Sequence, residues 1–337
     1  MMNILVTYGT RPEYIKIKPL IEEMKMNLIP HKILFTGQHE DIAPKNANYV
    51  WRMLESEDEN RLNAILKNCL SIPEYVFDGV THILVQGDTT SVLGLAISAM
   101  NRQIKIIHLE AGLRTYDKLN PFPEENNRRM VSTITDIHFC PTEQSKINLA
   151  KENIHKKVFV VGNTVLDNLI HYKEICQYEN IVLVTMHRRE NHHNIANWFR
   201  EINDLAGEHP ELSFIIPIHP NPKVQKYRHL LTNLTVTNPL PHDNLMKLLI
   251  KSKLVITDSG GLQEECSFFN KKCLVCRETT ERPEALGLSS FLISHYSSLK
   301  DAFNEHIKNY EIEEGICPYG DGLASKYICN ILLNNEL

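Results

Sequence analysis

No Gly-x-Gly-x-x-Gly follows any apolar run, and no Gly-Lys-Ser/Thr is present. The sequence therefore carries neither a dinucleotide-binding turn nor a P-loop, which weakens a nicotinamide oxidoreductase or a P-loop NTPase. No apolar run reaches transmembrane length. The opening Met1-Met2-Asn3-Ile4-Leu5-Val6 lacks the basic and apolar regions of a signal peptide. Positive charge is not in excess: Lys plus Arg total 36, Asp plus Glu 41, and the formal net charge is -5. Such a chain has no global attraction for nucleic acid or anionic lipid, although a local basic site for a small anion remains compatible. No Cys/His zinc spacing and no EF-hand loop occur, so the sequence requires no metal, and no cofactor is expected. The eight cysteines are scattered, several in apolar runs (Cys140, Cys273, Cys276). Reduced thiols and a cytoplasmic location are expected. Cys273 and Cys276 lie three apart in the strand-like "KKCLVCR", which puts them on opposite faces and favours core packing over a redox pair.

What is present is a long alternation. The apolar runs "NILVTY", "KILFTG", "HILVQG", "KIIHLE", "IHFCPT", "VFVVGN", "IVLVTM", "SFIIPI", "LTVTNP", "LVITDS", "CLVCRE" and "SFLISH" alternate with helical patterns. Continuous apolar runs suit strands covered on both faces, and the alternation predicts an α/β protein with parallel sheets. So many strands in 337 residues imply two sheets. The natural break follows Gly162-Asn163-Thr164, giving a first domain over 1–165 and a second over 166–319. A last helix is expected over roughly 322–335, after the breaker cluster "CPYGDG". The polar region 40–75 has no clear assignment.

Candidate chemistry gathers where runs end. Asp88 ends one strand and Glu110 the next; Glu124 and Glu125 follow in "NPFPEENNRR", beside Arg128 and Arg129. Parallel strand ends share one edge, so Asp88 and Glu110 are expected to share a cleft, and a group of acids held close suits acid–base work. The bland alternatives are helix capping for Asp88 and a surface loop for Glu124. Gly9 and Pro12 frame a helix start that brings Arg11 and Lys16 near a helix N-terminus, as anion contacts or as solvated surface cations. In "VITDSGGLQEE", Ser259, Gly260 and Gly261 can bring backbone amides to phosphate, with one of Glu264 and Glu265 able to bind ribose hydroxyls; Glu264-Glu265 is otherwise an exposed acidic pair. Arg282 reads as a phosphate contact or a surface charge. His187, with Arg188 beside it, and His219 each end a strand in the second half. His192-His193 reads as a solvated helix start.

Together, "GTRPEYIK", "GDTTSVLG", "HLEAGLRT", "PFPEENNRR", "GNTVLDNL", "HRREN", "IHPNP", "TDSGGLQEE" and "TTERPEA" resemble the bacterial non-hydrolysing UDP-N-acetylglucosamine 2-epimerases, in order from about residue 4 to 293. The resemblance implies two Rossmann-like domains facing across a cleft (GT-B type). It sends the C-terminal piece, about 320–337, back onto the first domain. It implies interconversion of UDP-GlcNAc and UDP-ManNAc through loss and re-addition of UDP, with 2-acetamidoglucal between, for cell-surface polysaccharide supply. The catalytic set it implies is Asp88, Glu110, Glu124 and His219. Arg11, Lys16, His187, Arg188 and Arg282 fall near the diphosphate, Ser259, Gly260, Gly261 and Glu265 around phosphate and ribose. A homodimer is implied, and a UDP-sugar is the only partner expected. Gln38 and His39 match the place where regulated members hold a second substrate molecule. The shortened "GQHEDIAPKNANYVWRMLES" departs from the family there and points to weakened or altered substrate activation. Tyr14 stands where the family often has a small residue, which reads as a changed pocket or as helix packing. Rival readings are a hydrolysing epimerase, an epimerase of a related UDP-diacetamido sugar, a glycosyltransferase of the same fold, and a non-catalytic sugar-nucleotide binder.

Overall fold

A computed structural model describes residues 2–37, 46–53, 59–312 and 317–334. The chain divides into two compact units, residues 1–168 with 320–337, and residues 169–319.

Unit 1 carries a seven-stranded sheet in the order β3-β2-β1-β4-β5-β6-β7. The strands are β1 (Ile4–Tyr8), β2 (His31–Phe35), β3 (Tyr49–Val50), β4 (His82–Gln86), β5 (Lys105–Leu109), β6 (Ile137–Cys140) and β7 (Val158–Val160). Every neighbouring pair is parallel. The helices are α1 (Arg11–Met26), α2 (Arg61–Leu70), α3 (Thr90–Asn101), α4 (Glu124–Ile134) and α5 (Glu143–Lys151). Unit 2 has a six-stranded parallel sheet in the order β10-β9-β8-β11-β12-β13. Its strands are β8 (Ile181–Thr185), β9 (Ser213–Pro217), β10 (Thr235–Thr237), β11 (Leu254–Thr257), β12 (Cys273–Val275) and β13 (Ser290–Leu292). Its helices are α6 (Ile195–Glu208), α7 (Pro222–Gln225), α8 (His242–Leu249), α9 (Gly260–Phe268) and α10 (Leu299–Lys308). The last helix, α11 (Ala324–Leu333), returns to unit 1.

The side-chain period of a strand builds the core of unit 1. On β1, Ile4, Val6 and Tyr8 pack with Ile17, Leu20 and Met24 of α1 and with Ile328 and Leu332 of α11. Leu5 faces the other way, into a layer with Val92, Leu95 and Ala96 of α3. Each such aliphatic side chain, fully buried, contributes about 1.5–3 kcal/mol. α1 starts at a capping box: Thr10 accepts from the Glu13 N–H, and Glu13 accepts from the Gly9 and Thr10 N–H groups at 2.7 and 3.0 Å. Tyr14 packs on that layer, its ring 5.1 Å from that of Tyr8, so helix packing accounts for it. Cys273 and Cys276 are fully buried free thiols. Among the described residues, no helix is long and apolar enough to cross a membrane.

In both units the strand order reverses beside the first strand, between β1 and β4 and between β8 and β11. In open parallel sheets the crevice outside the carboxyl ends of such a strand pair is where ligands bind.

Candidate active site

At the switch point of unit 1, β4 runs out through Gln86 and Gly87 to Asp88. The N-cap of α3 is Thr89, whose Oγ accepts from the Val92 N–H, so Asp88 is not the capping residue. Asp88 Oδ2 instead receives Arg128 Nε at 2.8 Å and Nη2 at 2.6 Å, and the Asp88 side chain stays one-quarter exposed. Arg128 lies on α4, and the neighbouring Asn127 donates to the Asp88 carbonyl at 2.9 Å. Arg128 also meets Glu125 at 3.2 Å. Glu125 is fully buried and accepts the N–H groups of Thr115 and Tyr116, which ties the loop after β5 to the start of α4.

Glu110 stands directly after β5 with φ +66°, in the left-handed region that a non-glycine residue occupies at a cost of about 1–3 kcal/mol. Three side chains grip it. Lys16 Nζ lies 2.6 Å from both carboxylate oxygens, Gln86 Nε2 is 2.5 Å from Oε2, and Asn163 Nδ2 is 3.3 Å from Oε1. Lys16 is thus an ion-pair partner rather than a solvated cation, whereas Arg11 is exposed at the start of α1. Glu124 opens α4, not a surface loop, and its Oε2 is buried with no hydrogen-bond partner among the described residues. A carboxylate there is favoured by the helix dipole and remains open to a ligand proton or hydroxyl. Beneath this group, His108 donates through Nε2 to the Gly87 carbonyl at 2.8 Å. Burial pushes His108 down to about 4, so the ring stays neutral and braces the turn.

The corresponding point in unit 2 is built otherwise. Asp258, just past β11, is fully buried. It accepts the N–H groups of His187 (3.0 Å) and Arg188 (2.9 Å) and the Asn191 amide (3.1 Å). This holds the His187 loop against α9. The rings of His187 and His219 stack, 5.5 Å apart and 20° from parallel. Burial lowers the affinity of both for a proton, against the pull of Asp258. Nδ1 of His219 accepts the Asn221 N–H at 3.2 Å, which leaves the neutral ring an Nε2–H to donate.

Ser259 precedes α9 without a side-chain cap bond. A Cβ on Gly260 would lie 2.6 Å from Glu281 Oε1 and 2.7 Å from Arg282 Nη1; on Gly261 it would find only Ser259 Oγ, at 3.9 Å. Gly260 is required by close packing, and Gly261 leaves the helix N-terminus open, as an anion needs. Glu264 and Glu265 are both buried, contrary to an exposed acidic pair. Glu264 and Glu281 take Arg282, and Glu281 also holds Arg277 at 2.9 Å. Arg282 is therefore not a surface charge: it braces Gly260 from behind, its guanidinium already shared by two carboxylates. Glu265 receives His242 Nε2 at 3.1 Å. His192 is only partly exposed, its Nε2 buried, so of the tandem pair only His193 is solvated. Gln38 and His39 lie outside the described residues.

Gln86, Asn163 and Arg128 as holders of carboxylates, and Asp258 as a loop anchor, were not legible as such. The doubled charges of "PEENNRR" are the one local signal, since Glu125 and Arg128 pair across one helical turn.

A family model described as UDP-N-acetylglucosamine 2-epimerase matches residues 23–333. The UDP-N-acetylglucosamine 2-epimerase of Neisseria meningitidis is 37% identical, with 99% of this chain and 100% of that protein covered. This chain belongs to the UDP-N-acetylglucosamine 2-epimerase family. A crystal structure of the Neisseria meningitidis UDP-GlcNAc 2-epimerase bound to UDP-GlcNAc matches at a TM-score of 0.89 and 36% identity, over 99% of this chain and 100% of that one. The Methanocaldococcus jannaschii UDP-GlcNAc 2-epimerase, in complex with UDP-GlcNAc and UDP, matches at 0.83 and 28%, with 99% and 100% covered. The fold class of this epimerase family member, two parallel-sheet α/β units, is the GT-B-like one of these neighbours. The Neisseria alignment runs over 374 positions against 337 residues here, so that relative carries residues with no counterpart in this epimerase chain.

Proposed function

We propose that the protein interconverts UDP-GlcNAc and UDP-ManNAc without releasing free sugar. A carboxylate takes the C2 proton, the C1–O bond to UDP breaks, and a C1–C2 double bond forms. UDP then re-adds at C1 while a proton is delivered to the opposite face of C2. The observation that supports this reading is that Asp88 and Glu110 follow the neighbouring strands β4 and β5 while Glu124 opens α4, whose Arg128 holds Asp88, and each of the three carboxyl groups is held differently. Glu110 is paired with Lys16, Asp88 is partly exposed, and Glu124 Oε2 has no hydrogen-bond partner among the described residues. Two-face proton chemistry needs at least two such groups.

Departing UDP has to be kept while it is not covalently attached. Arg188 supplies a cation, the open N-terminus of α9 at Ser259, Gly260 and Gly261 supplies backbone N–H groups, and neutral His219, stacked on His187, supplies a ring donor. Arg282 acts here by bracing Gly260, and Glu265 takes the ribose hydroxyls. The protein acts as a cytoplasmic homodimer without metal or cofactor.

The test is proton NMR of the protein with UDP-GlcNAc in deuterated water. UDP-ManNAc forming with loss of the C2 proton signal is the expected result. Free ManNAc and UDP would instead mean hydrolysis, and an unchanged spectrum would move the substrate to another UDP-sugar.

A further inference from the structure

If Glu110 belongs to the acid–base set of the proposed epimerase reaction, on which this inference rests, it is an anion before it takes up a proton and a neutral acid afterwards. Its partners differ in which state they tolerate. The Lys16 ammonium has donors only and favours the anion. Asn163 donates from Nδ2 at the longer distance of 3.3 Å, and its Oδ1 already accepts the Val165 N–H at 3.1 Å. Turning that amide would break the Val165 bond. Gln86 is differently placed. It is the last residue of β4, it is buried, and its register partner is Leu109, the residue before Glu110. Its Nε2 sits 2.5 Å from Glu110 Oε2. A primary amide presents a donor on one side and an acceptor on the other. Donating to the carboxylate and, after a half-turn about its last torsion, accepting from the carboxylic O–H, it can hold Glu110 in both states.

We propose that Gln86 is a positioning residue for Glu110, keeping that carboxyl group aimed from its left-handed backbone position throughout the proton cycle. Gln86 transfers no proton itself. An apolar side chain of similar length would fill the space and leave Glu110 Oε2 without this bond; a carboxyl there would donate only while protonated.

The test uses the full-length protein with Gln86→Met and Gln86→Glu, reading C2 proton exchange in deuterated water at saturating UDP-GlcNAc. In Gln86→Met the exchange rate falls about 10²-fold, as expected for a misaimed group, with UDP affinity by calorimetry and the melting temperature retained. In Gln86→Glu, activity recovers as pH falls and the new carboxyl takes up a proton, whereas Gln86→Met recovers at no pH. Wild-type exchange rates in Gln86→Met, or the same pH profile in both variants, would overturn the proposal. A second readout is independent of turnover: in ¹⁵N-labelled protein, the Gln86 side-chain amide protons shift when Glu110 is changed to Gln. If the wild type exchanges no C2 proton, the epimerase reading fails, and this amide signal then decides the positioning role by itself. Unmoved, it overturns that role as well.

Discussion

The two units share a strand order and place an aspartate at the same point of it, past β4 in one and past β11 in the other. They use it in opposite ways. Asp88 keeps a quarter of its side chain exposed and balances one arginine. Asp258 is sealed, and its oxygens are committed to the backbone of the His187 loop. Next to Asp88 lie further carboxylates, one of them with an oxygen that has no hydrogen-bond partner among the described residues; next to Asp258 lie neutral imidazoles and an open helix N-terminus. The topology supplies the place, and the second ring of residues decides whether it does proton chemistry or anion holding.

The largest expected effect breaks that comparison directly. Glu110→Gln or Asp88→Asn lowers C2 exchange roughly 10²–10⁴-fold while the urea midpoint stays near wild type. Asp258→Ala does the reverse to stability: it strands the buried N–H groups of His187 and Arg188 and lowers unfolding free energy by about 3–5 kcal/mol in urea melts. Were Asp258→Ala to melt like the wild type, the division of labour between the two aspartates would be wrong.

A pH effect comes next. His108 is held neutral, its folded value near 4 against 6.5 for the free side chain. With the folded value depressed, the stabilisation is present above pH 6.5 and fades as pH falls toward 4, by about 3 kcal/mol. His138 and His82 add in the same direction. Glu13, raised mainly by burial, works the opposite way, its contribution waning as pH rises. His108→Asn, with urea melts at pH 7 and pH 5, isolates the histidine part: its pH dependence should be flatter than that of the wild type.

Glycine replacements give smaller, sharper contrasts. Gly112 has φ +87°, and a Cβ there would lie 2.2 Å from the Ser145 carbonyl oxygen, so Gly112→Ala destabilises unit 1 by about 2–3 kcal/mol. Gly261→Ala has room and leaves stability unchanged, yet it crowds the anion end of α9. UDP binding by calorimetry then weakens roughly tenfold, equivalent to about 1.4 kcal/mol. A Gly261→Ala protein binding UDP normally would remove α9 from the nucleotide site.

Much of the frame could be read from residue order. All twelve apolar runs became strands, and the one strand among the described residues without such a run, β3, is only Tyr49–Val50 at a sheet edge, too short to show a period. Asp88, Glu110, His187 and His219 were legible as strand-end residues because strand ends are local events. Glu264 and Arg282 were not legible as a buried pair. A charge written on a helix or a turn looks solvated until a partner closes over it, and those partners come from elsewhere in the chain.

Period, turn residues and capping boxes are contacts within a few residues, so the strands, the helices and the Thr10–Glu13 cap of α1 follow from the order of amino acids. Folding alone brought Lys16, Gln86 and Asn163 onto Glu110, and set Asp167 to accept the first N–H groups of α11, 157 and 158 residues further on. Hydrogen bonds and ion pairs act over about 3 Å and depend on direction, so groups far apart in sequence gain them only once the sheets have fixed where each strand ends.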